Sequence, residues 1–305
     1  MKKKLSICIT SFNKPKQLSY LVNYLIKSIS NKIQICIYDN NSDKETKKLL
    51  NILEKFDSVK IIIFKKNFGE RFLIKKIQST INTEYFIILA EDDFINLKLL
   101  EENIKYLDDN KNIDLIFSKT LIYDINKKNY YLLNSNLKNR IKYSPSTSNL
   151  NKLFKCNIHL SSVFFRNKSY LQKNIFSINQ IDEQIFIMYL ASIYNFIFFD
   201  QIGSSFTVDR ESKSYYRKID DELIYKSLKE DLTFLKKNVK DKKIFLCLSQ
   251  FSKELHFNYL KNKSIIKREK IIRNIYKKIY IFFKNYTSFY DLNIFKNFYK
   301  NYANS

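Results

Sequence analysis

Three adjacent carboxylates, Glu91-Asp92-Asp93, directly follow an apolar run of the chain. Neighbouring carboxylates repel one another unless a cation or a ligand is bound among them. Mg²⁺ and Mn²⁺ take oxygen ligands and often share them with diphosphate oxygens. The triplet therefore predicts a divalent-metal site that binds a diphosphate. The alternative is a solvated acidic turn that caps the next helix.

Polar residues also follow three earlier apolar runs, at positions where strands would end. They are Thr10, Ser11 and Asn13 after the first run, Asp39 to Asp43 after the second, and Asn67, Gly69 and Arg71 after the third. Ligands of open α/β sheets bind beyond the carboxyl ends of the strands. We therefore expect one pocket that includes the acidic triplet, although turns and helix caps favour the same residue types.

The elements that must position these residues alternate between strand and helix patterns. Strands are predicted at Leu5 to Ile9, Ile33 to Tyr38, Val59 to Phe64 and Glu84 to Leu89, with helices opened by Pro15, capped by Ser42 or Asp43, and spanning Phe72 to Ile81. This alternation indicates an α/β fold, a mainly parallel sheet flanked by helices with right-handed crossovers.

The second half of the chain is less regular. Further strands are predicted at Ile113 to Ser118 and Ser161 to Phe165, a polar loop-rich segment at Asn126 to Asn151, and a buried helix running into a strand at Ile185 to Phe199. A basic helical C-terminal extension follows. The predicted division is a first domain at 1–215, with halves at 1–100 and 101–215, and a basic region at 216–305.

Composition excludes several classes of protein. The chain has 305 residues, 45% of them hydrophobic, which excludes a disordered chain. No segment reaches the about 18 uncharged apolar residues that a membrane span needs, and no secretory signal is convincing. The four cysteines are far apart and show no metal spacing, which fits a reducing compartment. We therefore expect a cytoplasmic protein.

Four segments together resemble glycosyltransferase family 2. Ser6 to Asn13 resembles the family's opening strand, Ile37 to Thr46 its second strand and Asp-Asn/Gly-Ser-x-Asp-x-Thr turn, Asn67 to Gly69 its Asn-x-Gly loop, and Glu91 to Asp93 its Asp-x-Asp metal motif. Their order and spacing match together over roughly the first 100 residues, which is more specific than any single motif.

The resemblance implies that residues 1–215 are a GT-A catalytic domain, with a nucleotide-sugar half at 1–100 and an acceptor half at 101–215. It also implies roles for single residues on the donor side. Asp39 would accept hydrogen bonds from the donor's base or ribose, and Thr10, Ser11, Asn13, Asn67, Arg71 and Asp92 would complete the donor site. Asp93, with Asp92 or Glu91, would hold Mn²⁺ or Mg²⁺ on the diphosphate. Which carboxylate ligates the metal stays open, because Ala90 stands where the family often has Asp.

The same resemblance places the catalytic base later in the chain. The family usually has an acidic pair before a helix, and Asp182-Glu183 is similar to it with the order inverted. Glu183 is the expected base and Asp182 the alternative; an acidic helix N-terminus would also explain the pair. Leu160 to Arg166 resembles the segment that lines the acceptor side, and His159 before it is interpreted as structural.

Two further segments carry positive charge. Gly203 to Ser214 resembles a flexible loop that closes over the donor phosphates, with Arg210 and Lys213 as its cations. In the tail, one helical face would be apolar and another basic; the apolar face comprises Ile265, Ile272, Ile275, Ile279 and Phe282. Such a helix suits an anionic membrane surface, and equally a helix packed on the domain with a solvated lysine face.

The resemblance implies an inverting, non-processive, metal-dependent glycosyltransferase of hexosyltransferase type. The donor would be a nucleotide sugar, expected to be UDP-linked, and the acceptor a bacterial surface glycan, free or lipid-linked, such as a lipooligosaccharide. Without tryptophan, the chain cannot contain the Gln-x-x-Arg-Trp motif of processive synthases. The first alternative is an inactive relative acting at a membrane surface or in assembly. A nucleic-acid-binding protein is the second, for which no motif is present. The third is a sugar-nucleotide pyrophosphorylase, which needs a Gly-rich first loop that this chain lacks.

Overall fold

A computed structural model describes residues 3–124, 128–132, 137–156, 158–167, 182–208 and 221–265. The side chains of residues 70, 71, 75, 208, 221–225 and 257–265 are outside this description. Among the residues that the structure describes, no helix has the length and apolar character needed to cross a membrane.

The first half of the chain forms a parallel sheet with the order β3-β2-β1-β4. Its elements are β1 (Leu5–Ser11), α1 (Pro15–Ser28), β2 (Ile33–Asp39), α2 (Lys44–Leu53), β3 (Val59–Ile63), α3 (Glu70–Thr80) and β4 (Tyr85–Ala90). Pro15 lies at the start of α1, and the Asp43 side chain caps α2 by accepting from Thr46 N at 2.8 Å. The predicted strands and helices of this half are confirmed.

The second half extends the sheet with strands of both directions. The described elements are β5 (Phe94–Ile95), α4 (Leu97–Asp109), β6 (Leu115–Asp124), β7 (Asn129–Leu132), β8 (Lys142–Tyr143), α5 (Thr147–Phe154), a 3-10 turn (Leu160–Ser162), β9 (Val163–Arg166), α6 (Glu183–Ala191), β10 (Phe196–Val208), α7 (Asp221–Asn238) and α8 (Lys242–Ile265). Strand β9 runs antiparallel to both β4 and β6, so the parallel half continues into a mixed sheet.

Helices cover both faces of this sheet. One buried cluster joins the sheet to α1, α2 and α4, and another joins it to α3, α5, α6, α7 and α8. Along β1 the side chains alternate between the two: Leu5, Ile7 and Ile9 point to the first cluster and Cys8 to the second. The predicted α/β fold with helical flanks and C-terminal helices is confirmed.

Two expectations about irregular segments were wrong. The predicted loop-rich stretch from Asn126 to Asn151 includes β7, β8 and the first part of α5. The predicted flexible loop beginning at Gly203 is, up to Val208, part of β10. A Cβ at Gly203 would lie 2.7 Å from Ser118 Cβ, so glycine there allows close strand packing rather than flexibility.

Three sequence predictions lie outside the described residues. They are the loop cations Arg210 and Lys213, and the amphipathic helix beyond Ile265. The helix-into-strand interpretation of Ile185 to Phe199 is confirmed by α6 and β10, because that helix is buried and ends before the strand begins.

Candidate functional site

The carboxyl ends of β1, β2 and β4 meet at one edge of the sheet, as their parallel directions require. Asn40 N donates to Ser11 O at 2.9 Å, which joins the end of β2 to that of β1. Glu91 N donates to Thr10 O at 3.1 Å, which joins the end of β4 to the same segment. Thr10 Oγ1 donates to Leu89 O at 3.3 Å, so this hydroxyl faces β4. The polar residues predicted to form one pocket are therefore neighbours.

Asp39 ends β2 as a fully buried carboxylate. Its Oδ2 accepts a hydrogen bond from Ser42 N at 3.0 Å, which is the turn role expected of such a residue. Its Oδ1 is buried and makes no hydrogen bond to any described residue. A buried carboxylate oxygen without a donor costs free energy, and a hydrogen bond from a ligand would remove that cost. This atom can therefore accept a hydrogen bond from a ligand.

Left-handed backbone shapes the loops around Asp39. Asn13, Asn41 and Gly69 have φ angles of 60°, 62° and 85°, a region that favours Gly and tolerates Asn. The Asn13 side chain accepts from Asp43 N at 2.7 Å, and Asn13 N donates to Ser42 Oγ at 3.0 Å. Asn13 therefore ties the loop after β1 to the loop after β2.

Asn67 has a similar role in the loop after β3. Its Oδ1 accepts from Asn40 Nδ2 at 2.8 Å and from Gly69 N at 2.9 Å, while Asn40 Oδ1 accepts from Phe68 N at 2.9 Å. This pair of amides holds the third loop against the second. The side chain of Arg71, predicted to contact the donor, lies outside the described residues.

Glu91 holds the loop after β1 in place. Its Oε2 accepts from Ser11 Oγ at 2.7 Å, and both carboxyl oxygens lie within 3.0 Å of Phe12 N. Burial raises the pKa of Glu91 to about 7, although these donors lower it. With both oxygens engaged inside the protein, Glu91 is arranged as a support for the loop.

Asp92 pairs with a lysine that the sequence reasoning missed. Lys14 Nζ lies 2.5 Å from Asp92 Oδ2. Burial lowers the pKa of Lys14, but the negative charges of Asp92, Glu91 and Asp93 outweigh it and raise the pKa. Lys14 follows Asn13 directly, so its place in the first polar loop was the signal that could have identified it.

Asp93 is the carboxylate of the triplet that is best placed to bind a cation. It is 1% exposed, Oδ2 accepts from Ala90 N at 3.3 Å, and Oδ1 is buried with no hydrogen bond to a described residue. Burial raises its pKa to about 7. Within the described residues, no three His, Cys, Asp or Glu side chains form a metal cage. Asp93 Oδ1 is the oxygen of the triplet that could ligate a divalent cation, since hard cations take oxygen ligands.

His159 lies between two carboxylates that the sequence assigned to different tasks. Its Nδ1 is 4.0 Å from Asp93 Oδ2, and its Nε2 is 3.7 Å from Glu183 Oε1. The ring packs against Phe206 with centroids 4.1 Å apart, and Nδ1 is 2.8 Å from Ser161 Oγ. A residue interpreted as structural thus connects the triplet to the predicted base.

Asp182 and Glu183 have different surroundings. Asp182 Oδ1 accepts from Gln184 N at 2.8 Å and caps α6. Glu183 Oε1 accepts from Leu160 N at 2.6 Å, and the side chain is 32% exposed. Burial raises the pKa of Glu183 to about 7. Of the two, Glu183 is the carboxylate that reaches solvent and does not cap its own helix, as a base that must contact an acceptor requires.

Comparisons with known proteins agree with this architecture. A family model, Glycosyl transferase family 2, matches residues 6–173, more than half of the chain. The structure of S. aureus TarS 1-349 in complex with UDP-GlcNAc aligns with a TM-score of 0.64 at 15% identity, covering 81% of this chain and 71% of that one. A mannosyltransferase from Pyrobaculum calidifontis, in complex with GDP-Man and Mn²⁺, aligns with a TM-score of 0.52 at 9% identity. The alignment covers 92% of this chain and 84% of that one. No curated protein matches in sequence.

Proposed function

Because the chain belongs to glycosyltransferase family 2, we propose that it transfers one sugar, with inversion, from a UDP-linked donor to a hydroxyl of a bacterial surface glycan. One observation carries the proposal: Asp93 and Glu183 approach opposite nitrogens of the same imidazole, His159. The carboxylate that would hold the metal on the diphosphate and the candidate base would then lie on either side of one imidazole ring, which supports a transfer between a donor and an acceptor.

The donor nucleotide would bind at the ends of β1 and β2. Oδ1 of Asp39 would accept a hydrogen bond from the base or ribose, and Thr10, Ser11, Asn13 and Asn67 would form the wall. The TarS structure contains UDP-GlcNAc and the mannosyltransferase structure contains GDP-Man, so both nucleotides occur on this fold. The UDP assignment follows the family resemblance of the sequence, and the TarS complex is a precedent for it on this fold.

The diphosphate would lie at the acidic triplet. Asp93 Oδ1 would hold Mn²⁺ or Mg²⁺, and Asp92 would join it if Lys14 turned away. A bound divalent ion would neutralise the charge that develops on the leaving diphosphate. Lys14 would provide positive charge at the same edge. Glu91 would support the loop rather than ligate the metal, because its oxygens already accept hydrogen bonds.

Glu183 would act as the general base. The acceptor oxygen attacks the anomeric carbon while its proton passes to the Glu183 carboxylate. The bond from that carbon to the diphosphate oxygen breaks, and the bonding electrons leave with the diphosphate. A single displacement of this kind inverts the anomeric centre. Asp182 would hold the start of α6, since its carboxylate caps that helix.

Features of the sequence support the proposed acceptor. The absence of tryptophan supports a non-processive enzyme. The basic extension supports an acceptor presented at an anionic membrane surface, such as a lipid-linked glycan on the cytoplasmic face.

Calorimetry with UDP and GDP, with and without Mn²⁺, tests the donor side. Wild type should bind UDP more tightly than GDP, and Mn²⁺ should strengthen UDP binding by about tenfold or more, a usual size for coupled ligands. Asp93→Asn should lose the effect of Mn²⁺. Asp39→Asn should weaken UDP binding by about tenfold to a hundredfold, because a charge-assisted hydrogen bond is lost. Asp109→Asn, at an exposed carboxylate of α4, is the matched control.

Each contrary result is informative. A preference for GDP would replace the donor assignment. An Asp93→Asn variant that keeps the full effect of Mn²⁺ would remove the triplet from the metal site. If neither nucleotide binds, the chain is an inactive relative of the family.

A further inference from the structure

Helices α7 and α8 pack on the face of the sheet that holds α6. The rings of Phe234 and Tyr189 meet edge to face with centroids 4.8 Å apart, and Phe251 stacks on Phe154 at 4.2 Å. These side chains belong to one buried cluster. The described part of the C-terminal region is therefore continuous with the core that carries the candidate base.

A fully buried carboxylate, Asp231 of α7, lies within this packing. Its Oδ1 accepts from Asp182 N at 3.0 Å, and its Oδ2 accepts from Ser252 Oγ at 2.9 Å. His256 Nε2 is 3.9 Å from the same Oδ2. Burial raises the pKa of Asp231 to about 6. A buried charge is costly, and an apolar side chain of similar size could often take its place. A charge that is found in such a position therefore usually has a structural or functional partner.

The partner of Asp231 is the amide that precedes α6. Amides at a helix start lack acceptors within the helix. A Glu or Gln at the third helical position often accepts from the amide of the capping residue, but here that position is Ile185. Asp231 provides the missing acceptor from 49 residues away along the chain. A negative charge at this end of a helix is also favourable.

This hydrogen bond lies one residue before Glu183, the first residue of α6. The Glu183 side chain is directed toward Leu160 N and His159 from the first residue of this turn. We propose that Asp231 is a positioning residue, which orients Glu183 by holding the backbone at the start of α6. This inference rests on the proposed role of Glu183 as base.

Three variants separate positioning from general stability. Asp231→Leu removes the acceptor for Asp182 N. Asp231→Asn keeps a carbonyl oxygen that can accept it. Leu235→Ala, on the same helix and fully buried, removes packing without touching Asp182. Ser252→Ala removes only one donor to the carboxylate and serves if Asp231→Leu does not fold.

Two measurements are made on each folded variant. The first is transfer kinetics: Asp231→Leu should lower kcat by about tenfold to a hundredfold with the donor KM unchanged, as expected for a misplaced catalytic group. Asp231→Asn should stay within about threefold of wild type, and Leu235→Ala should lose thermal stability but keep kcat. The kcat of Ser252→Ala should lie between those of wild type and Asp231→Leu.

The second measurement is amide hydrogen exchange at Leu160, which reports the bond to Glu183 without requiring activity. Exchange should be faster in Asp231→Leu and unchanged in Leu235→Ala. Equal exchange in these two variants would overturn the inference, as would faster exchange with unchanged kcat. If Glu183→Gln leaves transfer intact, the base assignment fails separately, and the exchange data still decide whether Asp231 positions Glu183.

Discussion

Two adjacent carboxylates at the start of α6 show how the surroundings of a residue determine its role. Asp182 faces the backbone of its own helix and accepts from Gln184 N, whereas Glu183 faces Leu160 N and His159. The sequence preferred Glu183 only by its position in the acidic pair and kept Asp182 as the alternative. Their contacts add a physical reason to assign Glu183 as the base and Asp182 as the cap.

Glu183→Gln tests this distinction directly. The amide keeps the size of the side chain but cannot take up a proton, so transfer should fall by about 10²-fold to 10⁴-fold. UDP and Mn²⁺ binding by calorimetry should be unchanged, because the base acts on the acceptor. Asp182→Asn is the paired control and should retain most activity. A normal transfer rate in Glu183→Gln together with a lost rate in Asp182→Asn would mean that Asp182, and not Glu183, is the base.

The pH dependence of transfer should report the ionisation of Glu183. Burial raises the pKa of Glu183 to about 7, and only the ionised form accepts a proton. Activity should therefore be full above this pH and fall as the pH drops through it. At saturating Mn²⁺, which would keep Asp93 ionised, the residual activity of Glu183→Gln should lack this acidic limb. A limb that persists in this variant would belong to another group, such as Glu91, whose pKa burial also raises to about 7.

The residues of the site differ in how far the sequence could predict them. Asp39 and the acidic triplet follow strands directly, and a strand pattern followed by a polar residue is visible within one short segment. Lys14 was missed and His159 was interpreted as structural, because Lys14 contacts Asp92 across 78 residues of sequence and His159 lies near Asp93 only in the folded chain. Asp231 carried no signal, since an acidic residue on a helix is ordinarily solvated.

At the scale of elements, the parallel half of the sheet was predictable because its periodicity is local. Each strand is a continuous apolar run and each crossover is a helix with one apolar face. The second half was less predictable because the antiparallel strand β9 lies between β4 and β6, an order that no local pattern encodes. The misassigned segment at Gly203 shows the same limit, since small residues favour loops and close strand contacts alike.

Gly203→Ala should destabilise the protein by about 1–3 kcal/mol, the usual cost of overpacking. The added Cβ would lie 1.9 Å from Ser118 Oγ and 2.7 Å from Ser118 Cβ. Rotation of the Ser118 side chain can relieve only the first contact. Urea unfolding measures the loss, and adding Ser118→Gly should recover part of it. A Gly203→Ala variant as stable as wild type would support the flexible-loop interpretation of this segment.

At the scale of the whole molecule, the C-terminal region divides into a part that packs on the core and a part beyond Ile265. Phe234, Leu235, Leu248 and Phe251 are buried in the core cluster. The amphipathic tail helix lies almost entirely in residues 266–305, outside the described residues. Both of its interpretations, a membrane-binding helix and a helix packed on the domain, therefore stay predictions.

Deleting residues 266–305 should leave folding and UDP binding intact but weaken binding to vesicles with anionic lipids, because a basic segment is removed. Co-sedimentation with phosphatidylserine vesicles, compared with neutral vesicles, measures the effect. Deleting residues 242–305 is the matched control and should abolish folding, since it removes Leu248 and Phe251 from the core. Unchanged vesicle binding after the shorter deletion would exclude the tail as a membrane anchor.

The hydrogen bond between Asp231 and Asp182 has a consequence for the time at which a newly made chain becomes active. Ribosomes add about 5–20 residues per second, and domains tend to order from the N-terminus. The residues that surround Asp231 extend to His256, so about 4–15 seconds separate the synthesis of Glu183 from that of the last supporting residue. During this interval Leu248 and Phe251 would also be missing from the core, so the nascent chain would not yet be folded. Donor binding and transfer would therefore begin together, only after the C-terminal helices have been made.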